Sequence, residues 1–100
     1  MIKMFKVLIK TLKKNDIGFN DVDLCIREET FIFGQDEISE VVERITNIAE
    51  TKIRQKNWFG GIYARTEIEY SDEEDLHRRA YINIFCFNAV LMIVVDFIEV

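Results

Sequence analysis

The segment Glu67-Ile-Glu-Tyr-Ser-Asp-Glu-Glu-Asp75 gathers six carboxylates and no base. Carboxylates this dense suit three kinds of chemistry: chelation of a hard cation, proton transfer, or attraction of a cationic surface. A chelating loop of the EF-hand kind needs oxygens at alternate positions and a central glycine. Asp72-Glu-Glu-Asp75 has neither, so no metal is expected. Proton transfer needs a pocket and a perturbed pKa. Glu67 and Glu69 instead alternate with Ile68 and Tyr70, which puts them beside Arg65 on the wet face of a strand. The single histidine, His77, stands in Asp75-Leu-His-Arg-Arg79, and Ser71 is the nearest serine. Nothing in that spacing pairs a nucleophile with a base. Gly60-Gly61 precedes a strand rather than a helix, so it is a turn and not a phosphate loop. The chain is read as non-enzymatic and without a cofactor.

Attraction of a cationic partner is the chemistry left. Tyr63, Arg65, Glu67 and Glu69 can face Arg79, Tyr81, Asn83 and Phe85 across a strand pair. Tyr and Arg are enriched at the centres of protein interfaces. The candidate partner-binding residues are therefore Arg65, Glu67, Glu69, Tyr70, Asp72, Glu73, Glu74, Asp75 and Tyr81. The plainer role for the same acids is to keep a hydrophobic hairpin soluble, as charges on strand edges do.

The elements that must position these residues follow from periodicity. Ile2, Phe5, Ile9 and Leu12 recur at spacings of three and four, which predicts a helix over 2–14. Its polar face carries Lys3, Lys6, Lys10, Lys13 and Lys14, and Gly18 is a stop signal beyond it. Val22, Leu24 and Ile26 alternate with polar neighbours and predict a strand, closed into a hairpin by Thr30-Phe-Ile-Phe33. Ile38, Val41, Val42, Ile45, Ile48, Ala49 and Ile53 form one apolar stripe, so 37–56 is a second helix. Asp36 can cap it, with acids in its first half and bases in its last turns. Ile62 to Tyr70, Arg79 to Phe87 and Val90 to Glu99 predict three more strands. Asn88-Ala89 makes the last tight turn, where Asn tolerates a positive φ.

The expected architecture is α+β: an antiparallel sheet of about five strands, in the order α-β-β-α-β-β-β, with two helices packed on it. The last strand is apolar on both faces, which demands cover on both. One helix per face, or a second copy of the chain, would supply it.

One hundred residues bound the chain to a single globular domain, 1–100, with an ordinary 49% hydrophobic content. The net charge is −5. Its sign is opposite to that of most nucleic-acid binders, so no direct nucleic-acid contact is expected. Charge comes in blocks: +5 over residues 1–14, −8 over 15–50, +4 over 51–65 and −6 over 66–75. Such patterning steers charged partners. Cys25 and Cys86 lie in apolar runs and are expected to be free thiols in a reducing cytoplasm. Ala80 to Val95 has no formal charge, but it is too short for a spanning helix and rich in strand formers. No membrane association is expected.

Small, acidic and empty of catalytic groupings, the chain is similar in overall type to bacterial immunity proteins, which neutralise a toxin, often a nuclease. Such inhibitors present carboxylates where the toxin expects phosphates. The resemblance implies a cytoplasmic inhibitor that holds a basic protein through residues 67–75 and the adjoining strand faces. A phage-encoded inhibitor of a host nuclease fits the same facts. The alternative class is a homodimeric assembly subunit joined through the apolar last strand.

Overall fold

The computed structural model describes residues 4–15, 18–21, 24, 26, 31–34, 37–74 and 77–100. Six strands form one antiparallel sheet: β1 (Met4–Asn15), β2 (Gly18–Asp21), β3 (Phe31–Phe33), β4 (Glu67–Glu74), β5 (His77–Phe85) and β6 (Val90–Glu99). One helix, α1 (Glu37–Lys56), crosses between β3 and β4. The sheet runs β2-β1-β6-β5-β4, and β3 shares the outer flank of β1 with β2. The α+β class and the antiparallel sheet are as expected. The number of helices and the element order are not.

The N-terminal segment is a strand, not a helix. Its three-and-four spacing coexists with a second pattern, because Phe5, Val7, Ile9 and Thr11 also alternate with Lys6, Leu8 and Lys10. Pairing decides between them. β1 aligns ten consecutive residues with β6, from Phe5 opposite Glu99 to Lys14 opposite Val90. That ladder satisfies the backbone and buries Phe5 and Val7 together with Phe97 and Val95. A lone helix would have to find another apolar surface. Among the described residues the order is therefore β-β-β-α-β-β-β, and a single α-helix packs on the sheet. The lysines move accordingly: Lys6, Lys10 and Lys14 lie on one face of a strand, not on a helix. Lys13, on the other face, holds its ammonium 5.8 Å from the Phe59 ring centroid.

Two further expectations shift. Gly18 opens β2 rather than ending a helix. β3 forms where Thr30–Phe33 suggested a strand, but it pairs with β1, Met4 lying opposite Phe33. Leu24 is buried outside any strand, and its carbonyl accepts a 2.8 Å bond from Lys52 Nζ on α1. The remaining predicted strand positions Val22, Asp23 and Cys25, together with the Asp36 cap, lie outside the described residues.

The helix forms where its stripe demanded. Ile38, Val41, Val42, Ile45, Ala49 and Ile53 are buried, with Glu37 and Glu40 in the first turn and Arg54 and Lys56 in the last. Both ends complement the helix dipole. Buried Thr46 is satisfied by donating to the Val42 carbonyl at 2.8 Å. Helix and sheet enclose one core, with Ala80, Ile82 and Ile84 from β5 and Leu91, Ile93, Val95 and Phe97 from β6.

Asn57 ends the helix in the left-handed conformation, and Phe59, Gly60 and Gly61 continue with positive φ. Asn57 and glycine suit that region, while Phe59 occupies it at a cost. Space at Gly60 is tight as well: a Cβ there would lie 3.0 Å from Asn88 Nδ2 and 3.1 Å from Phe87 Cβ, so those side chains would have to give by a few tenths of an ångström. The close approach accompanies the Asn88 N–H bond to the Phe59 carbonyl, 2.9 Å long. Asn88 itself keeps an ordinary φ, so the β5–β6 connection, spanning Cys86 to Ala89, is wider than a two-residue positive-φ turn.

Candidate docking surface

Register assigns the described side chains of the sheet to faces. Tyr81, Arg79 and Asn83 on β5 point away from α1, with Met92, Val94 and Asp96 on β6. Glu69 and Glu67 join them from β4, opposite Tyr81 and Asn83. Lys6, Leu8, Lys10 and Leu12 complete the face from β1, opposite Ile98, Asp96, Val94 and Met92. The helix side holds Ala80, Ile82 and Ile84, and Tyr70 falls there, opposite Ala80. The proposed site is thus divided between two surfaces. Glu67, Glu69 and Tyr81 come together on the helix-free face, while Tyr70 lies on the other. Arg65 is exposed in the segment before β4 and lies outside the strand pairing.

The strand expected over Ile62–Tyr70 begins only at Glu67. Ile62 makes an isolated bridge to Cys86, and Thr66 donates a 2.6 Å bond to Glu50 Oε2 on α1. The acidic run continues as strand past Tyr70, where the expected strand ended. Glu67 to Glu74 is strand β4, with a register irregularity between Asp72 and Glu74. Asp75 lies outside the described residues, as do the side chains of Asp72, Glu73 and Glu74. In the same way β5 starts at His77 and stops at Phe85, two residues earlier at each end than the 79–87 expected.

β4 is the outermost strand of the sheet, and no described strand pairs with its outer edge. Five of its eight residues are acids and none is a base. Strand edges present unpaired N–H and C=O groups, so β4 offers both a template for main-chain pairing and a negative field.

Near the middle of the helix-free face sits one polar group. Arg79 Nε donates to Asp96 Oδ1 at 2.7 Å, and Arg79 Nη1 donates to the Tyr81 hydroxyl at 3.2 Å. Bonding to Tyr81 and Asp96 pushes the guanidinium pKa further up. Around it Leu12, Val90, Met92, Val94 and Ile98 are half-buried, and Leu8 is 43% exposed. On the opposite side, burial pushes the Tyr70 phenol up, Arg78 opposes and Glu43 of α1 adds to the rise.

Sequence reasoning missed an exposed aromatic pair. Tyr63 and Phe87 lie with ring centroids 5.3 Å apart, and Phe87 is 70% exposed. They border an open pocket of about 560 Å³ that Lys14, Cys86, Asn88, Ala89 and Val90 also line. The available signal was an aromatic at the mouth of a tight turn, where little can cover it. Cys86 is free and buried, and burial raises its thiol pKa. A thiol so placed is a poor nucleophile. In the folded protein Cys86 is expected to be alkylated at least about tenfold more slowly than in denaturant. Peptide mass spectrometry after timed iodoacetamide treatment reads this, and equal rates would contradict the placement.

No group of three or more His, Cys, Asp or Glu suited to a metal occurs among the described residues. No described helix is long and apolar enough to cross a membrane; Ala80–Val95 takes in the end of β5, a turn and the start of β6. No protein-family model, curated protein or solved structure matches the chain.

Proposed function

We propose that this chain is a non-catalytic cytoplasmic inhibitor that binds and neutralises a basic protein, of the toxin or nuclease kind, along strand β4. One observation carries the reading: the most acidic strand is also the terminal strand of the sheet, with its outer edge unpaired among the described residues. An extended basic segment docked there would gain main-chain hydrogen bonds from the edge and charge complementarity from Glu67, Glu69, Asp72, Glu73 and Glu74. Asp75, beyond the strand, would extend the same field. Arg65 precedes the strand and Tyr70 lies within it on the helix side, so both would contact a partner that wraps the strand.

Electrostatic docking has a kinetic signature. With a Lys/Arg-rich extended peptide and a panel of basic nucleases as probes, association should slow steeply between low and high salt, because the Debye length falls from ~30 Å at 0.01 M to ~3 Å at 1 M. Dissociation should change much less. A salt-independent association rate, or no binding to any basic probe, contradicts the reading.

A second reading, a homodimeric assembly subunit joined through the apolar last strand, is favoured by a separate observation: β6 has α1 on one face and no described element on the other.

A further inference from the structure

β6 is the central strand, and its two faces differ in cover. Leu91, Ile93, Val95 and Phe97 are buried under α1. Val90, Met92, Val94 and Ile98 on the other face are only half-buried. Leu24 and Ile26 join the helix-side core, so neither covers that face. The result is an apolar sheet face with charged margins: exposed Lys6 and Lys10 along β1, exposed Glu67 and Glu69 along β4. Four-strand rows cross it in register. One runs Lys10, Val94, Tyr81, Glu69; the next runs Leu8, Asp96, Arg79, Ser71.

We propose that a second copy of the chain covers this face, related to the first by a two-fold axis parallel to the strands. This rests on the homodimer reading and supplies its geometry. Such a rotation keeps each residue's height along the strands and exchanges the two margins. β1 of one copy then lies over β4 of the other. Lys10 is placed opposite Glu69 and Val94 opposite Tyr81, each twice by symmetry. Arg79 of each copy is brought over Asp96 of the other, so the polar group at the centre becomes four charges of balanced sign. A two-fold axis perpendicular to the strands does the reverse: β1 stacks on β1 and β4 on β4, setting lysine against lysine and glutamate against glutamate. Like charges across an interface are strongly disfavoured, so the charge pattern selects the first arrangement.

The area is adequate. β1 and β6 pair over ten residues, which at ~3.3 Å each span ~30 Å, and four strands ~4.8 Å apart give a width of ~20 Å. About 600 Å² per copy, ~1,200 Å² in total, reaches the lower end for specific interfaces. Sheets stacked this way pack aligned, about 10 Å apart, with interdigitating side chains. The outer edge of each β4 stays open, so dimerisation and docking on that edge are compatible.

Sedimentation equilibrium across the micromolar range tests the proposal, with far-UV circular dichroism and melting curves to verify the fold of each variant. The wild-type chain should dimerise. Lys10→Glu and Glu69→Lys should each weaken the dimer Kd by about tenfold or more, since each change acts twice. The neutral variants Lys10→Gln and Glu69→Gln should do so by less. An equimolar mixture of Lys10→Glu and Glu69→Lys should recover wild-type association. In the mixed dimer the two substituted positions face each other with opposite charge at one margin, and the native Lys10 and Glu69 face each other at the other. A wild-type chain that stays monomeric overturns both the homodimer reading and this geometry. A dimer indifferent to the charge changes, or not recovered by mixing, overturns the geometry and leaves the homodimer standing.

Discussion

Phe97→Ala is expected to destabilise the fold by about 3–5 kcal/mol, the range for deleting a buried aromatic ring. Phe97 is fully buried, and its strand is flanked by β1 and β5, so no edge is near enough to relax into the space. Its cross-strand neighbours are Val7 on β1 and Arg78 on β5, and α1 closes the layer above. The cost is large against the ~5–15 kcal/mol that holds a domain together. Urea denaturation should show a lower midpoint with little change in slope. Phe87→Ala is the control. That ring is mostly exposed and touches Tyr63, so its loss should cost no more than about 1.5 kcal/mol. Equal costs at the two positions would mean that the helix-side core is not where the stability lies.

Neutralising Asp72, Glu73, Glu74 and Asp75 to Asn and Gln should slow association with a basic partner by about 10–100-fold at low salt. The reasoning is electrostatic. These side chains supply most of the −6 block, and steering depends on the summed field rather than on any one contact. Stability should change little, because relief of repulsion among the acids offsets the loss of an unlike charge opposite Arg78. The same variant separates docking from solubility. If the acids serve only to keep β4 from pairing with other edges, association stays unchanged while aggregation increases. Stopped-flow association and light scattering on one sample read both outcomes.

Much of this molecule was legible in its residues. The stripe from Ile38 to Ile53 has one reading, since its period, its acidic first turn and its basic last turn agree. β6 is equally plain: ten residues rich in Val and Ile, bounded by Asn88-Ala89, match the strand observed from Val90 to Glu99. The first strand was misread because Ile2, Phe5, Ile9 and Leu12 fit a helix as well as Phe5, Val7 and Ile9 fit a strand. Local periodicity cannot break that tie. The ladder with β6, at the other end of the sequence, does.

The candidate site was legible in kind and not in place. The acids, Tyr81 and Arg79 were visible as residues suited to a charged interface. Their division between two faces was not, because a face is assigned by register, and register depends on which strands pair. Residues 71–78 fall between the strands expected over Ile62–Tyr70 and Arg79–Phe87 because acids disfavour strands intrinsically. The acidic segment became strand through Glu74 by pairing with β5, Glu69 lying opposite Tyr81 and Ile68 opposite Ile82.

Two properties therefore have separate origins. Composition and local pattern suffice for an acidic α+β chain, for α1, and for a last strand apolar on both faces, because each depends on near neighbours along the chain. Strand pairing makes residues 4–15 a strand, leaves one described α-helix for two faces, and sends β4 to the rim with its acids. Those outcomes rest on hydrogen bonds between distant segments. They convert a sequence that asks for cover on both sides into a sheet with α1 on one side and no described element on the other.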